Sequence, residues 1–91
     1  MENQRRIIQG QHSAMQRGVL NVWTIYDHPT DFPHSYVARR FETGGGLLDP
    51  VATTDIIQGE LDALRKSFAI CGMVCLTRNV CDDPKIIETW L

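Results

Sequence analysis

Apolar and polar residues alternate over positions 19–26, where Val, Trp, Thr, Ile and Tyr follow one another without a helix breaker. Such β-branched and aromatic runs suit a pleated, half-buried surface, so a first strand is predicted there. A period of two puts Val19, Asn21, Trp23 and Ile25 on one face and Leu20, Val22, Thr24 and Tyr26 on the other. Apolar side chains on both faces predict an interior strand covered on two sides. Positions 35–43 repeat the pattern. Val37, Arg39 and Phe41 share one face, and Tyr36, Ala38, Arg40 and Glu42 share the other. An antiparallel pair of these two strands is the simplest arrangement. Gly44-Gly45-Gly46 then breaks the alternation and predicts a loop, because glycine adopts positive φ at no steric cost.

The period changes downstream. Positions 51–57 are β-branched enough for a third strand. Ile57, Leu61, Leu64 and Phe68 then recur at helical spacing. A single helix capped by Thr54 or Asp55 is the alternative, but it would hold Gly59 in its interior at a cost of about 1 kcal/mol relative to Ala. A strand over 51–57, then a helix from about Gly59 to Ile70 stopped by Gly72, is therefore preferred. Strands over 73–78 and 85–91 follow, joined by a turn over 79–84 that contains an Asp-Pro step. Residues 1–18 are polar and Gln-rich and develop no apolar stripe, so they are predicted to be a flexible leader, with Met15 an alternative start. Residues 19–91 then form a single α+β domain, an antiparallel sheet of four or five strands with one helix on a face, in the order β-β-(β)-α-β-β.

The bulk properties narrow the function classes. At 91 residues, with 43% hydrophobic and 22% charged positions, the chain is long enough for one globular domain. A domain this small buries only about 60–65% of its unfolded surface, so a homodimer that covers a further face is expected. A net charge of −2 argues against broad nucleic-acid binding, which needs many cations to displace phosphate counterions. No apolar run reaches the ~18 residues of a membrane span, and the amino terminus lacks a secretory pattern, so a cytoplasmic protein is expected. Cys71, Cys75 and Cys81 do not follow zinc-finger spacing and are expected to be reduced, buried small hydrophobes. No cofactor or metal is expected.

The densest chemistry lies between the first two strands. Asp27, His28, Asp31 and His34 place two carboxylates and two imidazoles in one proline-broken segment. Metals favour such groups, but Pro29 and Pro33 exclude the helical spacing that would bring them together. A turn held by side-chain-to-backbone bonds from Asp and Thr, with Phe32 in the core, is the expected structure. Arg39 and Arg40 point to opposite faces, so only one can serve any single surface, and one of them is expected to close a salt bridge with Glu42, Asp31 or Glu88. The candidate partner-binding residues are Arg39, Arg40, Tyr36, His34, Asp31 and His28, because Arg and Tyr dominate interaction hot spots. The triple glycine leads into Leu-Leu-Asp-Pro instead of a helix, so it is not a phosphate cradle.

The segments Trp23-Thr24-Ile25-Tyr26-Asp27-His28-Pro29, Asp31-Phe32-Pro33, Tyr36-Val37-Ala38-Arg39-Arg40-Phe41, Leu61, Leu64-Arg65 and Asp83-Pro84-Lys85-Ile86-Ile87-Glu88-Thr89-Trp90-Leu91 resemble a family of small bacterial and phage-associated proteins that has no assigned activity. The resemblance covers most of the chain after Gly18, and leaves out the leader, the triple glycine and the cysteines. With the phage association, it implies a non-enzymatic interaction module that binds and modulates a host or phage protein, an inhibitor of host defence being one form. A small metal- or phosphate-dependent hydrolase using the turn from Asp27 to His34 is the alternative.

Overall fold

The computed structural model describes residues 2–46, 49–77 and 84–91. Its elements are α1 (Glu2–Arg17), β1 (Leu20–Asp27), β2 (Tyr36–Thr43), β3 (Val51–Gly59), α2 (Leu61–Ile70), β4 (Cys75–Thr77) and β5 (Ile86–Trp90). The strands form one five-stranded antiparallel sheet in the order β3-β2-β1-β5-β4. The class is α+β, as the alternation predicts. The expected turn at 79–83, Cys81 and the Leu-Leu pair at 47–48 lie outside the described residues.

β1 occupies the centre because its inward row is the most apolar in the chain. Trp23 faces Arg40 on one side and Trp90 on the other, and Ile25 faces Ala38 and Glu88. Ile57 of β3 extends the row, and Ile7 of α1 with Leu64 and Phe68 of α2 pack on it in one core cluster. The Phe68 ring lies between two indoles, with centroids 5.5 Å from Trp23 and 5.6 Å from Trp90. Both helices thus cover the same face. β1 is interior within the sheet, as expected, but among the described residues helices cover one face only; on the other, Thr24 and Val37 are nonetheless buried. Val22 and Tyr26, on the reverse face, remain half-buried with no helix over them among the described residues.

The helix α2 starts two residues after the expected Gly59, because Gly59 completes β3 opposite Tyr36. It ends where Gly72 was expected to stop it. Gly72 takes φ +79°, its N–H donates to Ala69 O, and the N–H of Met73 donates to Phe68 O. That pair of bonds is the Schellman closure, which glycine permits without a Cβ clash.

The leader is a correction. Residues expected to be flexible form the 16-residue helix α1, with Ile7, Gly10 and Ala14 buried. The sheet therefore carries two helices and not one. The inward stripe of α1 is made largely of small residues, so no strong apolar period marks it in the sequence. Burial of Ile7 in the core cluster and a second Schellman closure at Gly18 (φ +70°, with Val19 N–H donating to Ala14 O) hold it in place. No helix of the described residues is long and apolar enough to cross a membrane.

Candidate functional site

The strand register separates the two arginines. Arg40 pairs with Trp23 on the helix-covered face, whereas Arg39 pairs with Thr24 and points to the open face. There Val22, Tyr26, Phe41 and Ile86 are half-buried, and with Thr24 and Pro50 they line a shallow groove of about 240 Å³. Arg39 keeps 27% of its side chain exposed and forms an ion pair with Asp31, itself 54% exposed. Its guanidinium carbon sits 6.0 Å from the centre of the Tyr26 ring, within cation–π range. Among the described residues no Asp or Glu occupies a strand position on this face, and Arg39 is the one strand-borne cation there, among apolar and uncharged polar side chains.

The turn that supplies Asp31 is built on backbone bonds more than on the expected side-chain bonds. Phe32 N–H donates to Pro29 O at 2.9 Å, Pro29 is buried and Phe32 is half-buried. His28 adopts φ +47°, an uncommon conformation for a residue with a Cβ. Lys85 Nζ donates to its carbonyl at 3.1 Å, and its ring stands edge-on to Tyr36 at 4.8 Å. His28 Nδ1 lies 2.5 Å from Asp27 Oδ1. His34 is exposed and has no hydrogen-bond partner among the described residues. Thus Asp27, His28 and Tyr36 meet at one end of the sheet, Asp31 goes to Arg39, and His34 stands apart. Among the described residues no group of three or more His, Cys, Asp or Glu side chains is placed to hold a metal ion.

Beneath α1, Arg40 is only 8% exposed. It donates from Nε to Asp55 Oδ2 at 2.6 Å, and from Nη1 to Asn21 Oδ1 at 2.9 Å and Glu42 Oε2 at 2.8 Å. Arg17, at the end of α1, donates to the same Glu42 carboxylate. Hydrogen bonds from Arg17 and then Arg40 outweigh desolvation and hold the Glu42 carboxyl at about 2. Asp55 reaches this network through an irregularity in β3, where Thr53 Oγ1 donates to Arg40 O at 2.9 Å and accepts from Asp55 N–H at 3.2 Å. A Cβ on Gly10 would lie 2.9 Å from Arg40 Cδ, so only glycine lets the helix approach this closely. Asn21 Nδ2 and Trp23 Nε1 are buried without a hydrogen-bond partner among the described residues. Between α1 and β3 a polar cleft of about 510 Å³ opens onto Arg40.

The buried carboxylate of Glu88 accepts from Arg65 (Nη2 to Oε1, 2.8 Å) and from Trp90 Nε1 at 2.8 Å. Burial pushes this carboxyl up, but the bonds from Arg65 and Trp90 more than offset it, and the net direction is down. Cys71 is half-buried and its Sγ lies 3.9 Å from Gln4 O, whereas Cys75 is exposed and departs from the burial expected of it.

The ion pairs of Arg40 with Glu42 and of Arg39 with Asp31 are among those expected, whereas sequence reasoning missed Asn21 and Asp55 as partners of Arg40. The signal for the network was present in part, since Glu42 lies two residues after Arg40 and Asn21 lies two before Trp23, all on the covered face. Compared with protein-family models, curated proteins and solved structures, the chain matches none of them.

Proposed function

We propose that the protein is a non-enzymatic interaction module that binds and modulates a protein partner through the open face of its sheet. The observation that carries this reading is Arg39, set beside Tyr26 and paired only with the exposed Asp31, on an apolar face that no helix covers among the described residues. Three strands of eight or nine residues and two of five and three, about 4.8 Å apart, offer roughly 500 Å² of sheet face, more than half of one side of a standard interface. Its occupant is a different protein that presents an apolar surface with a carboxylate. That carboxylate replaces the exposed Asp31 on Arg39, and a planar guanidinium suits two-handed recognition of it. A second copy of this chain is matched less well, because it brings another Arg39 to the face and no strand-borne anion. The resemblance to phage-associated proteins extends the proposal to a host or phage partner, with inhibition of host defence as one outcome of binding.

The hydrolase alternative has less support, since only Asp27 and His28 of the turn meet, while Asp31 goes to Arg39 and His34 stands apart.

The test is affinity capture from a bacterial host, comparing the wild-type chain with Arg39→Glu, Phe41→Asp and the double variant His28→Ala/His34→Ala. The proposal expects one partner that is lost with the first two variants, retained with the third, and recovered by Arg39→Glu when a partner carboxylate is changed to Lys. Equal capture by Arg39→Glu would overturn it. So would light scattering that shows a homodimer disrupted by Phe41→Asp, which would assign the face to a second copy.

A further inference from the structure

We infer that the groove between α1 and the outer edge of β3 receives an extended peptide, which joins the sheet as an added strand and sets an acidic side chain against Arg6. This site is distinct from the open face, and the inference does not rest on what that face binds.

β3 is an edge strand, paired on one side only. Which of its backbone groups face outward follows from the register. The N–H of Asp27 donates to Lys85 O, so β1 turns its backbone groups toward β5 at that residue. Alternation along β1 then directs Thr24 and Tyr26 to their partners Arg39 and Val37 in β2. Those two residues consequently turn away from β3, and their opposite numbers Ile56 and Gln58 direct both N–H and C=O to the free edge. An independent contact agrees. Arg6 Nη1 of α1 donates to Ile56 O at 3.1 Å, a side chain standing where a neighbouring strand would put an N–H.

The groove has the shape for one strand. Glu2, Arg6, Gln9 and Ser13 recur at helical spacing and form the wall that α1 presents to β3. From Glu2 to Ser13 this wall is about 16 Å long at 1.5 Å per residue, the span of about five extended residues. The volume of about 510 Å³ falls within the range of ligand clefts. A single chain fits between helix and strand, whereas a second copy would have to bring its own sheet and helix against the wall. Main-chain bonds to Ile56 and Gln58 would supply affinity, and side chains on the helix wall would supply selectivity, as in other cases of strand addition. When the peptide takes Ile56 O, Arg6 loses that acceptor. Its ion pair with Glu2, at 3.5 Å, is exposed on both sides and weak, so a peptide carboxylate is the replacement that matches Arg6.

The experiment uses the full chain and a fluorescein-labelled octapeptide of alternating Val and Thr with one central Glu. Two further peptides carry Lys at the centre or N-methyl groups on alternate residues, the latter made in both alternations. Saturable binding of the Glu peptide is expected, at least about tenfold weakened in one N-methyl alternation because the main-chain donors on that edge are gone. The Lys peptide should bind more weakly than the Glu peptide, and Arg6→Ala should erase that difference. In hydrogen exchange followed by NMR, the Ile56 and Gln58 amides should exchange freely in the unliganded protein and slow when the peptide binds. Absence of saturable binding, indifference to N-methylation in both alternations, or protection at amides other than these would each overturn the inference. So would protection of Ile56 and Gln58 without peptide in a concentration-dependent dimer, which would give the edge to a second copy.

Discussion

Replacing Gly10 by Ala sets two effects of opposite sign against each other. In a helix interior the change is worth about 1 kcal/mol in favour of Ala, from backbone entropy alone. Against it stands the contact with Arg40. The new Cβ would lie 2.9 Å from Cδ and 3.2 Å from Nε of that side chain, well inside the ~3.5–4.0 Å of an ordinary carbon contact. The atom met is in the middle of the side chain, not at its free end. Bonds to Asp55, Asn21 and Glu42 hold the guanidinium, so Arg40 cannot swing aside without breaking them. Overpacking of this kind costs about 1–3 kcal/mol, so a net loss of about 1 kcal/mol is expected. For a domain of this size that lowers Tm by about 4–8 °C. Thermal unfolding by circular dichroism measures it. The decisive arm is the same change in an Arg40→Ala background, where only the contact with Asn21 Nδ2 at 3.3 Å remains and Gly10→Ala should turn from a loss into a gain of up to about 1 kcal/mol. If Gly10→Ala raises Tm in the wild-type chain, α1 is not seated on Arg40 and the account of the covered face fails.

Two further outcomes test the packing and the charges. Phe68, fully buried between Trp23 and Trp90, should cost about 3–5 kcal/mol when changed to Ala, with loss of the near-ultraviolet circular dichroism of the two indoles; a loss under about 1 kcal/mol would mean that the aromatic row is not the core. The Glu42 carboxyl, held at about 2 against an ordinary value of 4.5, contributes stability that is fully present above pH 4.5 and is lost as pH falls toward 2. Because Arg17 is solvent-screened, about 1–2 kcal/mol of the difference in urea stability between pH 6 and pH 3 is expected from this group, and Glu42→Gln should shrink that difference by as much while the part from Glu88 remains.

Much of the sheet was legible because its signal is local. The β-branched run through Trp23 and the alternation around Arg39 and Arg40 depend only on neighbours in sequence, and both strands form within a residue of where the pattern puts them. Gly59 correctly favoured a strand before α2, since a helix interior penalises it and a strand end does not. The helix α1 was not legible. Its buried stripe is Ile7, Gly10 and Ala14, and a glycine and an alanine add little to an apolar period. Gly10 in particular reads as a breaker, yet its missing Cβ is what admits the helix to Arg40. The same limit applies to the sites. That Arg39 and Arg40 oppose each other follows from a period of two, but which of them is covered depends on where the helices settle. The pairing of Arg40 with Asp55 required knowledge of a β3 irregularity that no local pattern announces.

The position of β5 between β1 and β4 has a consequence for how the chain reaches this state. β1 is the central strand, but its second neighbour, β5, lies about sixty residues further along, so Trp23 meets Trp90 only after everything between them has been made. During synthesis, β1 and β2 can pair as a hairpin while one edge of β1 stays open and its aromatic row lacks a lid. Pairings of such long sequence separation form late and slowly. The growing chain therefore displays a sticky strand edge until Ile86–Trp90 leaves the ribosome, and this is the interval in which a chaperone or an aggregating neighbour would compete for it.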